Sequence, residues 1–184
     1  GDGSISSIAN ASYDSKSFDV SEDDLTSNLT FKPDGTKMYV VGRTNDKVYQ
    51  YALSTAFDVS TASYESKSFS FASQEIQPYG IALNNNGTGM YTVGFDTDTV
   101  YQYTLSTPYD VSTASYSSNS LSVGSQDTVP TANTFNADGT SLYVMGSTNN
   151  EIFQYTLSSA FDVSTGSYAS KSLDFSSQDT NASG

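Results

Sequence analysis

The sequence predicts an all-β protein built from β-propeller blades, and three observations carry this prediction. A stretch of 17 residues occurs three times, as VYQYALSTAFDVSTASY from Val48, VYQYTLSTPYDVSTASY from Val100 and IFQYTLSSAFDVSTGSY from Ile152. The spacing between copies is always 52 residues, as it is for Gly35, Gly87 and Gly139. Each unit contains four short apolar segments separated by turn residues. A repeat of about 50 residues with four strands is typical of a propeller blade.

The four strands of a unit follow one another along its pattern. The first is LTF (Leu29–Phe31), and the turn KPDGT leads to the second, KMYVVG. An Asp-Gly or Asn-Gly pair is a strong hairpin signal, because glycine readily takes positive φ. The turn RTNDK leads to the third strand, VYQYAL, and the loop STAFDVSTAS to the fourth, YESKSFSF. Apolar and polar residues alternate in the fourth strand, and no window has helical periodicity, so almost no helix is expected.

The period divides residues 1–184, a single repeat domain, into blades at 29–80, 81–132 and 133–184. Residues 11–28 precede them as a fourth-strand-like segment and a linker, since ASYDSKSF (Ala11–Phe18) matches ASYESKSF (Ala62–Phe69). The sequence therefore predicts three four-stranded antiparallel units of 52 residues plus one extra N-terminal edge strand.

Three blades do not close a ring, because closed propellers have about 4–8 blades. The chain is therefore expected to be part of a longer propeller, or a homo-oligomer or polymer joined through blade faces and edge strands. Two copies would give a six-bladed ring, whereas a contact that does not close would give a filament. The segment Ala11–Phe18 is expected to pair at a sheet edge, its own or another chain's.

Side chains of the third strand alternate between two faces, with Tyr49, Tyr51 and Leu53 on one and Val48, Gln50 and Ala52 on the other. The repeated glutamines Gln50, Gln102 and Gln154 allow two interpretations, a ring of carbohydrate-facing amides or hydrogen bonds to the backbone of the next blade. Tyrosines such as Tyr49, Tyr51, Tyr101 and Tyr103 allow sugar stacking or core packing. Repetition favours the structural role in both cases, since a catalytic site breaks symmetry while packing preserves it. Asp58, Asp110 and Asp162 are expected to tie their loops by accepting hydrogen bonds from nearby amides.

Composition excludes several classes of function. The net charge is −13, so the basic patch that nucleic-acid binding requires is missing, and no nucleic-acid partner is expected. No apolar run approaches the roughly 20 residues of a spanning helix, so membrane insertion is not expected. Cysteine and histidine are both absent, which removes disulfides, thiol nucleophiles and nucleophile–histidine pairs. The sequence therefore indicates no catalytic residue and predicts that the protein is not an enzyme.

Two acidic stretches are the candidates for metal binding. Asp96 and Asp98 lie in the turn FDTD, where a D-x-D pattern could bind calcium or simply form the turn. Glu22, Asp23 and Asp24 could likewise bind calcium or form a turn, or they could belong to a solvated linker. No other cofactor is expected. Four Asn-x-Ser/Thr triplets could accept glycans if the source glycosylates surface asparagine, at Asn10, Asn28, Asn86 and Asn181.

The pair FKPDGTKMYVVG and VYQYALSTAFDVSTAS resembles the YVTN-type, lactonase-like propeller repeats of bacterial surface proteins and marine phage sequences. The resemblance covers essentially the whole chain and implies the fold, while propellers of this kind serve binding, adhesion and catalysis alike. The expected function is a non-enzymatic structural or adhesive surface module that self-assembles, located outside the cell or on a virion or cell surface, with a surface glycan or a protein as a further ligand. The alternative is a carbohydrate-binding or lactonase-like catalytic propeller.

Overall fold

In the computed structural model, which describes residues 11–179, each unit forms one four-stranded antiparallel sheet. Blade 1 comprises β1 (Thr26–Phe31), β2 (Lys37–Gly42), β3 (Lys47–Leu53) and β4 (Ala62–Ser70). Blade 2 comprises β5 (Pro78–Leu83), β6 (Gly89–Gly94), β7 (Thr99–Leu105) and β8 (Ala114–Ser122). Blade 3 comprises β9 (Pro130–Phe135), β10 (Ser141–Gly146), β11 (Glu151–Leu157) and β12 (Gly166–Asp174). The predicted all-β fold with three four-stranded blades is confirmed.

Helical structure in the described residues is limited to three short 3-10 turns, Val59–Thr61, Val111–Thr113 and Val163–Thr165. Each lies in the loop between the third and fourth strands of its blade. Nowhere in residues 11–179 is there a helix of the length and apolarity that crossing a membrane requires.

The first strand of each blade begins earlier than the sequence suggested. β1 starts at Thr26 rather than Leu29, and its register with β2 shifts between Thr26 and Asn28. The same irregularity recurs in blade 2 between Pro78 and Gly80. A bulge breaks the period-2 alternation of side chains, so the strand's opening residues carry no recognisable strand pattern.

Two cores lie between the blades. Val41 and Val48 of blade 1 pack with Tyr103, Leu105 and other buried residues of blade 2. The opposite face of blade 2 packs in the same way against blade 3 through residues that include Tyr91, Val100, Leu142, Phe153 and Tyr155. Because each sheet presents apolar side chains on both faces, neighbouring blades bury each other's faces.

The first strands of the blades lie next to one another, and the space between them is tight. Ser27 Oγ of β1 donates a hydrogen bond to the Tyr79 carbonyl of β5 at 2.9 Å. A Cβ at Gly80 would lie 2.5 Å from Asn133 Oδ1 and 3.0 Å from Ala132 Cα. Glycine is therefore required where β5 approaches β9.

The N-terminal segment differs from the predicted extra strand. Residues 11–25 contain no strand, although they lie against blade 1 where the fourth strand of a preceding blade would lie. A strand needs a backbone partner. Within residues 11–179 the third strand of a preceding blade, with which this segment would pair, is not present. Pairing of Ala11–Phe18 with the edge of another chain stays a prediction.

Candidate functional site

The repeated glutamines join the backbone of one blade to that of the next. Gln50 Oε1 accepts a hydrogen bond from the Val111 amide at 2.9 Å, and Gln102 Oε1 accepts one from the Val163 amide at 3.1 Å. Of the two interpretations given to these glutamines, the structure places Gln50 and Gln102 in the blade-to-blade role. Gln154 occupies the same position in blade 3 and is half-buried.

A second repeated contact comes from the tyrosine in the middle of the second strand. The hydroxyl of Tyr39 donates to the Tyr109 carbonyl at 2.9 Å, and that of Tyr91 donates to the Phe161 carbonyl at 2.7 Å. Burial raises the pKa of both Tyr39 and Tyr91 well above the usual tyrosine range. Both hydroxyls therefore stay protonated and act as hydrogen-bond donors between blades.

A third contact ends on the loop aspartate. Lys67 Nζ of blade 1 lies 2.6 Å from Asp110 Oδ2 of blade 2, and Asn119 Nδ2 of blade 2 lies 3.0 Å from Asp162 Oδ1 of blade 3. Asp110 Oδ1 also accepts the Ser112 amide at 3.1 Å, which is the loop-tying role expected for it. Burial alone would raise the pKa of Asp110, but hydrogen bonds from Lys67 and Ser112 outweigh it, so the pKa is lowered.

The third-strand tyrosines pack in aromatic clusters. Tyr103 lies 5.2 Å from Phe69 and 5.7 Å from Tyr116, measured between ring centroids. Tyr49 and Tyr51 are buried and contact Tyr64 in the same way. The core-packing interpretation therefore holds for Tyr49, Tyr51 and Tyr103, whose rings have no open face for a sugar.

Sequence reasoning missed a buried carboxylate that recurs once in each unit. Asp23, Glu75 and Asp127 are all buried, and each accepts hydrogen bonds from amides of the turn between the second and third strands of its blade. Glu75, for example, accepts from the amides of Gln77, Asp96 and Thr97 at 2.8, 3.1 and 3.2 Å. The 52-residue spacing was the available signal, and the exchange of aspartate for glutamate in blade 2 obscured it.

The acidic run Glu22-Asp23-Asp24 is consequently not a solvated linker as a whole. Asp23 Oδ1 accepts the amides of Leu25 and Thr44, both at 3.0 Å, while Glu22 Oε2 accepts the Tyr51 hydroxyl at 2.7 Å. Asp24 alone is exposed. A Cβ at Gly42 would lie 2.4 Å from Asp23 Cγ, so the buried carboxylate also explains why a glycine ends β2.

Asp96 and Asp98, the predicted calcium ligands, lie in the β6–β7 turn, whose amides donate hydrogen bonds to Glu75. Asp96 is exposed, whereas Asp98 has φ of +50° and a buried Oδ1 without a hydrogen-bond partner among the described residues. Burial raises the pKa of Asp98, and the charges of Asp127 and Asp96 add to this. Across residues 11–179 there is no group of three or more acidic side chains placed to hold a metal. Calcium binding at Asp96 and Asp98 stays a prediction.

Two clefts lie beside the first strands. One, of about 550 Å³, is lined by Phe18, Val20, Leu29, Met38 and other mainly apolar residues, and the other, of about 480 Å³, by Ile81, Asn133, Tyr143, Met145 and their neighbours. Neither lining includes a carboxylate, a lysine or an arginine. These two clefts therefore offer no acid–base pair of the kind that hydrolysis of a lactone or glycoside would use.

The glycosylation triplets fall in different environments. Asn86 is exposed in a hairpin turn, where its Oδ1 accepts the Thr88 amide at 3.1 Å, and Asn28 is half-buried in β1. Asn10 and Asn181 lie outside the described residues.

Neither a known family nor a curated protein matches the sequence. The fold, in contrast, is similar to several solved structures. A candidate 6-phosphogluconolactonase from Bacteroides fragilis matches with a TM-score of 0.58 at 13% identity, over 81% of this chain and 39% of the other. The periplasmic gluconolactonase of Pseudomonas aeruginosa matches with a TM-score of 0.53 at 15% identity, over 81% and 39%. A protein from Lactobacillus plantarum matches with a TM-score of 0.54 at 18% identity, over 81% and 41%.

This chain spans about two fifths of the length of each of these structures. The identities are low enough that the likeness concerns the fold alone. Three blades of this chain thus share their architecture with lactonase-like propellers, which is the part of the predicted resemblance that the comparisons support.

Proposed function

We propose that this chain is a non-enzymatic structural or adhesive surface module that assembles through its blade faces, as copies of itself or within a longer propeller. The observation that carries the proposal is the outer face of blade 3, which no blade in the described part of the chain covers. Leu173 on this face is 62% exposed, whereas the equivalent Phe69 and Leu121 pack into the cores between blades. Leu173 and the half-buried Phe175 together leave apolar surface on this face at positions that a neighbouring blade covers at both internal junctions.

The polar residues support a structural role as well. The repeated glutamines and tyrosines of blades 1 and 2 and the loop aspartates of blades 2 and 3 all have partners in the adjoining blade. The buried carboxylates are likewise occupied by turn amides. An extracellular, virion-surface or cell-surface location fits the strongly acidic composition, whose net charge of −13 favours solubility and weakens nonspecific association with other acidic molecules.

The molecular mass in solution tests the proposal. We expect light scattering to give multiples of the 19.6 kDa chain mass as the protein concentration rises. A mass of one chain at every concentration, with an outer face that stays exposed, would contradict self-assembly.

A lactonase-like activity is the second candidate, and the names of two structural neighbours favour it. The Bacteroides fragilis and Pseudomonas aeruginosa proteins are described as lactonases, which points toward an enzyme rather than away from one. We favour the structural role instead, because the two clefts described above contain no carboxylate and no basic group.

Incubation with gluconolactone and 6-phosphogluconolactone separates these candidates. We expect ring opening at the rate of the buffer alone, because neither of the two clefts described above presents a carboxylate or a basic group that could activate water. Saturable turnover that disappears when a single carboxylate is replaced would establish the enzyme and overturn our proposal. An exposed residue, Asp24, provides the matched control for that replacement.

A further inference from the structure

The two internal blade junctions use the same polar contacts at equivalent positions. In each, a glutamine accepts a valine amide, a tyrosine hydroxyl donates to an aromatic residue's carbonyl, and a lysine or asparagine bonds the loop aspartate. The face that supplies these side chains always belongs to the earlier blade, and the loop that contacts them, here called the receiving loop, always joins the third and fourth strands of the later blade. A blade junction therefore has a defined direction.

Blade 3 carries the complete set of these side chains, or their equivalents, on a face that no described blade covers. Tyr143, Gln154 and Lys171 follow Tyr91, Gln102 and Asn119 by 52 residues each, and Leu173 follows Leu121 by the same distance. We call Tyr143, Gln154, Lys171 and Leu173 the end face. Phe175, at the edge of this face, is only half-buried, whereas the equivalent Phe71 and Val123 are 0% and 1% exposed.

Blade 1 carries the complementary receiving loop, Phe57–Val59. Its residues correspond to Tyr109–Val111 of blade 2 and Phe161–Val163 of blade 3. Val59 is half-buried, while Val111 and Val163 are both fully buried at 0% exposure. The end face and the receiving loop are thus the two unmatched halves of the junction that the chain uses twice internally.

The chain's own N-terminal segment partly covers the receiving loop. Lys16 Nζ lies 2.7 Å from Asp58 Oδ2, as Lys67 Nζ lies 2.6 Å from Asp110 Oδ2. The Phe18 ring lies 5.2 Å from that of Tyr51, the same distance that separates Phe69 from Tyr103. Residues 16–20 therefore take the place of a fourth strand from a preceding blade, but without the remaining strands of that blade.

From these four observations we infer that the end face of one copy docks on the Phe57–Val59 loop of a second copy, and that residues 16–20 must first leave that loop. Lys171 would then replace Lys16 beside Asp58, and Leu173 would replace Phe18 against Tyr51. The two segments require the same positions, so they compete. This inference rests on the proposed function and adds to it the contacting surfaces and an intramolecular competitor.

A second copy is the partner that fits, because the receiving loop needs three partner groups with the spacing found at an internal blade junction. An acceptor for the Val59 amide, a donor for the Phe57 carbonyl and a cation for Asp58 occur together on the end face of this same chain. Lys171 also supplies a positive charge to a loop whose aspartate otherwise bonds Lys16, so the junction is complementary in charge. Two copies joined in this way have six blades, within the range of about 4–8 that closes a ring.

Light scattering and sedimentation over a range of concentrations compare the full chain with four variants. Deleting residues 1–20 should shift assembly to a protein concentration about tenfold lower or more, because the receiving loop no longer has to be vacated. Lys16→Glu, which repels Asp58 while retaining the whole chain, should shift assembly in the same direction if the deletion variant does not fold. Leu173→Asp should abolish assembly. Ile76→Asp is its control, because Ile76 is 51% exposed but lies in the chain segment that links β4 to β5, away from the end face.

The outcomes separate this inference from the proposed function. One-chain mass for the full chain, the deletion and Lys16→Glu alike would refute both this inference and the self-assembly on which it rests. Assembly that survives Leu173→Asp would refute the inference alone, since another surface would then make the contact. Assembly that disappears on deletion of residues 1–20 would also refute it, and would show instead that the N-terminal segment links the chains by strand pairing.

Discussion

Replacing Glu75 with alanine is expected to destabilise the chain by about 3–5 kcal/mol, because the hydrogen bonds to the carboxylate, each worth about 1.5–3 kcal/mol, are partly offset by the cost of burying it. Glu75 is 0% exposed and accepts bonds from the amides of Gln77, Asp96 and Thr97. The Thr97 hydroxyl adds a fourth bond at 2.7 Å. Removing the carboxylate takes away the acceptor shared by these four donors, so blade 2 loses its link between the linker and the β6–β7 turn.

Urea unfolding measures this loss as a lower midpoint at an unchanged slope. Glu75→Gln should be intermediate, because the amide retains one acceptor oxygen in the same position. Asp24→Ala is the matched control, as Asp24 is an exposed acid in the equivalent linker of blade 1. A Glu75→Ala chain as stable as the wild type would show that the turn does not depend on this carboxylate.

The second large effect is expected at Tyr103, at the junction of blades 1 and 2. Its ring is fully buried and lies 5.2 Å from Phe69, 5.3 Å from Phe71 and 5.7 Å from Tyr116. Tyr103→Ala should cost about 3–5 kcal/mol, the range for deleting a large aromatic side chain from a packed core. Because a whole domain is stable by about 5–15 kcal/mol, this one change would remove much of the stability.

Two variants separate packing from hydrogen bonding at this position. Tyr103→Phe should cost less than about 1 kcal/mol, because the hydroxyl makes only a 3.4 Å contact with Gln74. Tyr13→Ala should have no effect, since Tyr13 is 75% exposed. Calorimetry or urea unfolding gives the comparison, and a Tyr103→Ala chain that unfolds like Tyr103→Phe would contradict the proposed core.

The sequence was sufficient for the architecture because the packing itself is periodic. Alternation in VYQYAL predicted that Val48 and Tyr49 would face opposite neighbours, and the two side chains indeed enter different cores. Repetition at Gln50 favoured a contact between blades, and the Val111 amide is that contact. Period and alternation report burial directly, which is why these predictions succeeded.

Features that depend on three-dimensional proximity were harder to predict from the sequence. The role of Glu75 could not be predicted, because its partners at Asp96 and Thr97 lie about 20 residues away and are backbone amides, which leave no trace in the sequence. The bulge near Asn28 interrupts the alternation that would have revealed the start of β1. The match of Ala11–Phe18 to a fourth strand predicted an extra strand, but residues 11–25 form none, because sequence similarity could not supply the missing partner strand.

Cross-linking shows whether the outer faces of two copies meet in the same way as the inner faces of neighbouring blades. The chain has no cysteine, so any thiol cross-link comes from the residues introduced. One chain carrying Val59→Cys and another carrying Gln154→Cys are mixed and treated with a short bis-thiol reagent, and a single chain carrying Gln102→Cys and Val163→Cys serves as the positive control. We expect a cross-linked heterodimer in the mixture and an intramolecular link in the control. An efficient control link without any heterodimer would show that the outer faces do not meet in this way.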